Sequence, residues 1–61
     1  MARTANNYEI VYAYYDYKGD KQYKDYHICR YTEDDAIKDC IRYQNEDYDI
    51  KITEIIRIKT Y

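Results

Sequence analysis

The chain has 61 residues, a formal net charge of −2, charged residues at 36% and no Pro, Phe or Trp. A domain of this size buries only ~60% of the surface its unfolded chain exposes, so a second copy or another partner is expected to add stability. The acidic balance argues against a module held to nucleic acid by overall positive charge, and no apolar run approaches the ~20 residues of a membrane-crossing helix.

Leucine is also missing, so the core must be built from nine Ile, a few Ala, one Val, two Cys and part of eleven Tyr. Eleven tyrosines are too many for a small core, because each buried hydroxyl needs a hydrogen-bond partner; several are expected at the surface or at an interface. The first seven residues are polar and have no apolar h-region, so no secretory leader is expected there. The expected compartment is the cytoplasm, with Cys29 and Cys40 both reduced.

Residues 1–7 read as a polar, frayed arm of a single domain spanning 1–61. Over 8–17 the pattern becomes that of a strand, with Tyr8, Ile10, Tyr12 and Tyr14 on one face and Glu9, Val11, Ala13 and Tyr15 on the other. The first set is the larger and is assigned to the core. Lys18-Gly19-Asp20 carries the single glycine between two strand-like runs, which predicts a hairpin. The returning strand, 21–31, mixes charge and aromatic residues on both faces, as a sheet edge does.

Residues 32–44 are the one stretch with helical spacing, since Ala36, Ile37, Cys40 and Ile41 fall at i, i+1, i+4 and i+5. Thr32 is a suitable N-cap with Asp35 three residues on, and Glu33, Asp34 and Asp35 place negative charge where the helix dipole favours it. Asn45-Glu46-Asp47 reads as a polar turn. The final run, 48–61, alternates with Tyr48, Ile50, Ile52, Ile56 and Ile58 on one side, but Glu54 interrupts that side and Ile55 appears opposite. Fourteen extended residues would span ~45 Å, so a bulge near residues 53–55, or continuation onto another subunit, is expected.

The expected architecture is therefore α+β, a ββαβ chain with a three-stranded antiparallel sheet in order 2-1-3 and one helix on one face. One helix covers one face. Val11, Ala13, Tyr15, Tyr23 or Tyr26, and Ile55 on the other face need cover, which points to a homodimer.

The ingredients for catalysis are thin. His27 is the single histidine, serine is absent, and one glycine cannot make a phosphate loop. Glu33, Asp34 and Asp35 are too close in sequence to flank a substrate as an acid/base pair. No CxxC or neighbouring His–Cys cluster is present, so neither a metal nor another cofactor is expected. Binding is the better class of answer. Tyrosine and carboxylate interleave from Tyr14 to Tyr26 and again from Asp39 to Asp49; exposed Tyr anchors interfaces, and spaced carboxylates can imitate phosphates before a Lys/Arg groove. A tyrosine-rich sheet that stacks single-stranded bases is the alternative, helped by Lys18, Lys21, Lys24 and Arg30 on the hairpin but lacking a clear basic stripe.

The hairpin Asp16-Tyr17-Lys18-Gly19-Asp20-Lys21-Gln22-Tyr23-Lys24-Asp25-Tyr26-His27 resembles that of the small dimeric inhibitors of uracil-DNA glycosylase made by podophages of Bacillus. These show an acidic turn with glycine, then Lys-Gln-Tyr, then an acidic residue followed by Tyr-His. Tyr8-Glu9-Ile10 is similar to their opening strand, Tyr43-Gln44-Asn45 to their helix end and Ile55-Ile56-Arg57-Ile58 to their last strand. The resemblance implies a non-catalytic ββαβ homodimer that mimics DNA. Its carboxylates would occupy the glycosylase's phosphate groove, and an apolar pocket at the dimer seam would capture the enzyme's minor-groove leucine. It matches Asp25, Asp39 and Tyr43 to contact residues of the family; with Tyr26 and Asp35 these make the expected partner-binding set, with no cofactor and no direct contact with nucleic acid. The chain departs from the family where a helix phenylalanine falls near Ala36 or Ile37. A different target with the same architecture, such as a CRISPR or restriction enzyme of the host, is the second expectation.

Overall fold

The computed structural model describes residues 4–61. Strands β1 (Asn6–Tyr15) and β2 (Lys21–Arg30) precede helix α1 (Glu33–Tyr48) and strand β3 (Ile52–Thr60). The sheet is antiparallel throughout, in order β2-β1-β3, so the α+β architecture expected from the sequence is the one observed. Asn6 and Asn7 belong to β1 instead of the expected arm, whose residues 1–3 lie outside the described residues.

The hairpin turn is organised by one side chain. Asp16 Oδ1 accepts the backbone N–H groups of Lys18 and Asp20, both at 2.9 Å, while its Oδ2 accepts from the Gln22 amide at 3.1 Å. Gly19 sits at φ 85°, a left-handed conformation that a side chain disfavours, and donates its N–H to the Asp16 carbonyl at 3.0 Å. The turn sets the register, and β1 and β2 then pair without interruption from Tyr15↔Lys21 to Asn6↔Arg30.

Alternation along β1 builds the core. Tyr8, Ile10 and Tyr12 are buried beneath the helix together with Ile28, Ala36 and Cys40. The small side chains of Ala36 and Cys40, with Gln44 one turn further, let α1 lie close to the sheet. Gln44 is tolerated there because its Oε1 accepts the Tyr12 hydroxyl at 2.5 Å. Among the described residues no buried side-chain polar atom is left without a partner. Burial pushes the Tyr12 hydroxyl up to about 12, with the Cys40 thiol adding to it, and burial pushes Cys40 itself up to about 11. Both groups are therefore neutral core members.

Three sequence expectations are corrected. First, Asn45-Glu46-Asp47 is not a turn. With no Gly or Pro to stop it, α1 continues to Tyr48 and ends at Asp49, whose left-handed conformation (φ 56°) lets Asp49 donate to the Asn45 carbonyl and Ile50 to that of Gln44. Second, Ile41 is not in the core stripe. The buried line is Ala36-Cys40-Gln44, and Ile41 is 41% exposed on the flank away from β2. Third, the inward residues of β3 are Ile52, Ile55 and Ile58, opposite Tyr14, Tyr12 and Ile10. The pairing with β1 skips Thr53 and Ile56, and each interruption resets which face the next residue meets. The expected bulge is present, but it occurs twice, turning Ile55 inward and leaving Ile56 46% exposed.

The Cα envelope measures 49 × 20 × 13 Å, thin enough for one sheet and one helix. Sixteen helical residues span ~24 Å against roughly 33 Å for a ten-residue strand, so α1 covers only part of one face. Among the described residues no helix is long and apolar enough to cross a membrane.

Candidate partner-binding surface

The five residues implied as a binding set do not form one patch. Asp25 and Tyr26 are neighbours on β2, and strand alternation sends them to opposite faces. Asp25 is on the open face, 3.6 Å from His27 Nε2. Tyr26 is half-buried against the core on the helix side, where burial and then the Cys40 thiol raise its hydroxyl above its ordinary value.

Tyr26, Asp39 and Tyr43 share the edge where α1 meets β2, and Arg30 links them. Its Nε donates to Asp39 Oδ2 at 2.6 Å, and its guanidinium lies 6.0 Å from the Tyr43 ring centre. Arg42 approaches the same ring at 4.8 Å and Asp39 Oδ1 at 3.3 Å. The Arg30 hydrogen bond holds the Asp39 carboxyl below its ordinary value, with Arg42 assisting. Asp39 is thus ionised and already paired twice, so its charge is largely answered within the chain. Asp35 lies at the other end of the helix, exposed, with its backbone N–H donating to the Thr32 hydroxyl at 3.2 Å, the cap that the sequence implied.

What does concentrate is charge along α1. Glu33, Asp34, Asp35, Asp39, Glu46, Asp47 and Asp49 stand against Lys38 and Arg42, a formal −5 on the helix and its cap in a chain whose total is −2. The first three stabilise the helix N-terminus. Glu46 and Asp47 do the opposite: they occupy a last turn that holds no basic residue, where the dipole disfavours each acid by about 0.3–1 kcal/mol. The acidic C-terminal turn therefore has a cost to the fold. The interleaving of Tyr and carboxylate after Asp39 was its sequence signal, but reading 45–47 as a turn hid the fact that these acids belong to the helix. Tyr48 beside them is 65% exposed, with the Lys24 ammonium 5.4 Å from its ring centre.

The open face of the sheet is different in kind. Tyr26 and Ile55, two of the residues expected to need cover there, turn instead to the helix side. Ala13 is fully buried within the sheet, and Tyr15 and Tyr23 remain exposed. Around them runs a cross-strand ladder of charge, with Lys21 to Glu54 at 3.4 Å, Arg57 to Glu9 at 3.0 Å, and His27 beside Glu9 and Asp25. The exposed aliphatic side chains among the described residues are Ile41 on α1 and Ile56 on β3. No cavity opens among the described residues.

No family model matches the chain, and comparisons with curated proteins and with solved structures likewise return no match.

Proposed function

We propose that this chain is a non-catalytic inhibitor of uracil-DNA glycosylase that works in the host cytoplasm as a homodimer, occupying the enzyme's DNA groove as a DNA mimic. The observation that carries the reading is the excess of negative charge on α1, above all Glu46 and Asp47 at a helix end that disfavours them. Charge placed against its own helix dipole is explained by an external cationic partner, and a phosphate groove is one. Tyr26, Tyr43 and Tyr48 along the same side supply rigid area with polar tips. Asp35 and Asp39 lie on this helix, Asp39 with its charge already shared with Arg30 and Arg42, whereas Asp25 faces the other way and stands outside this contact.

The dimer seam in this reading draws on Ile41 of α1 and Ile56 of β3, the aliphatic side chains left exposed. One observation favours the second reading, a DNA-binding defence enzyme as target: of the two positions near the family's helix phenylalanine, Ala36 is fully buried and Ile37 is packed against the core, which leaves little of either for a leucine-capturing wall.

The test is uracil excision by a bacterial glycosylase with the protein added. Stoichiometric loss of excision is the expected result, and full activity at a tenfold excess of dimer would overturn the proposal.

A further inference from the structure

On the face of the sheet that the helix does not cover, Glu9 and His27 stand directly opposite each other on β1 and β2, and Asp25 is two residues from His27 on the same face. The imidazole Nε2 lies 3.5 Å from Glu9 Oε2 and 3.6 Å from Asp25 Oδ2, and one ligand atom from each of the three residues lies within 4.8 Å of the other two. Those separations are too long for good hydrogen bonds. They suit the edges of a coordination tetrahedron, since metal–ligand bonds of about 2.1 Å put neighbouring ligand atoms about 3.4 Å apart.

We propose that Glu9, Asp25 and His27 form a binding site for a divalent first-row transition ion, with water in the remaining position. The surrounding contacts are those a metal site requires. The other imidazole nitrogen, Nδ1, is 2.8 Å from the Tyr61 hydroxyl, and the two rings meet edge-on with centres 5.3 Å apart. Tyr61 is itself tied to the sheet through its backbone N–H, which donates to the Asn7 carbonyl at 3.0 Å. A proton on Nδ1 donated to the Tyr61 oxygen leaves Nε2 with a free lone pair aimed at the two carboxylates. Glu9 is likewise oriented, its Oε1 taken by Arg57 at 3.0 Å so that Oε2 faces His27.

Glu9 and Asp25 supply two negative charges to meet a dication; Arg57, opposite Val11, and Lys59, opposite Glu9, balance them formally while the site is empty. An imidazole nitrogen with two carboxylate oxygens selects Zn²⁺ or its neighbours over Mg²⁺ and Ca²⁺, which take oxygen donors. The site was not legible by spacing alone because Glu9 comes from the other strand, and only the register set by the hairpin turn brings it opposite His27.

The test is titration of the full chain with ZnCl₂ by calorimetry, together with thermal melting and the imidazole nitrogen resonances of His27. The expected result is one ion per chain, a melting temperature that rises with ZnCl₂, a shift of the Nε2 resonance, and no displacement by excess MgCl₂. His27→Ala should abolish binding, and Tyr61→Phe, which removes only the outer hydrogen bond, should weaken it about tenfold. Because these side chains lie on the open face, circular dichroism of the apo variants should match the parent. Equal affinity in His27→Ala would overturn the proposal. So would loss of binding in Cys29→Ser, which would assign the zinc to the exposed thiol of Cys29 two residues further along β2.

Discussion

The two faces of one sheet are built from alternate residues of the same strands, yet they follow different rules. The covered face, Tyr8, Ile10, Tyr12 and Ile28 under Ala36 and Cys40, is close-packed and fully hydrogen-bonded. The open face carries paired charges around Val11, Ala13 and Tyr23 that water can reach. Stability is therefore lodged on one side of β1, while the other side and the exposed C-terminal turn of α1 can be shaped for recognition without disturbing the core.

The largest contrast should come from truncating the covered face. Ile10 has no exposed surface, so Ile10→Ala should cost about 2–5 kcal/mol, enough to unfold much of so small a domain; Asp25→Asn on the open face should stay within about 0.5 kcal/mol. Urea denaturation of the pair measures it, and equal midpoints would erase the distinction between the faces.

Alkaline pH should attack the same side. Tyr12 and Cys40 are acids whose neutral forms the core favours, raised to about 12 from 10.0 and to about 11 from 9.0. An unfolded chain loses these protons first. The stabilisation is therefore complete below about pH 9 and is lost as pH rises through the folded values. Melting temperature should be level from pH 7 to 8 and fall steeply above pH 9; a flat profile to pH 11 would show that these groups are not sequestered.

A smaller loss follows from Gln44→Ala, which strands the Tyr12 hydroxyl and should cost about 1–3 kcal/mol. The double variant with Tyr12→Phe should cost less than the two single losses added, as a double-mutant cycle would register. Gly19→Ala meets no atom within 4 Å but keeps φ 85°, so about 1 kcal/mol of backbone strain is expected, read as a shift in melting temperature.

The smallest effect on folding, and the most informative about association, should come from Ile41→Asp. A stripe residue would have unfolded the chain; at 41% exposure Ile41 should leave the circular dichroism unchanged and shift the sedimentation profile toward monomer. Loss of fold in this variant would return Ile41 to the core.

These contrasts mark how far sequence carries. Strand order, the hairpin at Gly19 and the Thr32 cap were legible because each rests on a local rule: period-two alternation, a left-handed turn position, and a hydroxyl before an acidic first turn. The facing of β3 was not, because Thr53 and Ile56 drop out of the pairing with β1 and alternation cannot be counted across a bulge. The helix end was missed because an aspartate, Asp49, takes the left-handed position that glycine usually marks. For the candidate surface, the acids were visible as composition, but Asp25 and Tyr26 could be separated only once the sheet had two distinct faces. Glu9 and His27 could be joined only once the length of the turn after Tyr15 was known.

The central claim is that recognition belongs to the acidic C-terminal turn of α1 and not to the open sheet face. Inhibition of a bacterial uracil-DNA glycosylase by three proteins measures this most directly: the parent chain, the helix-edge variant Glu46→Gln with Asp47→Asn, and the open-face variant Asp25→Lys. The account predicts at least tenfold weaker inhibition for the helix-edge variant, with the difference shrinking in high salt, and a change within about twofold for Asp25→Lys. Parent-like inhibition by the helix-edge variant, with the loss found in Asp25→Lys instead, would contradict it.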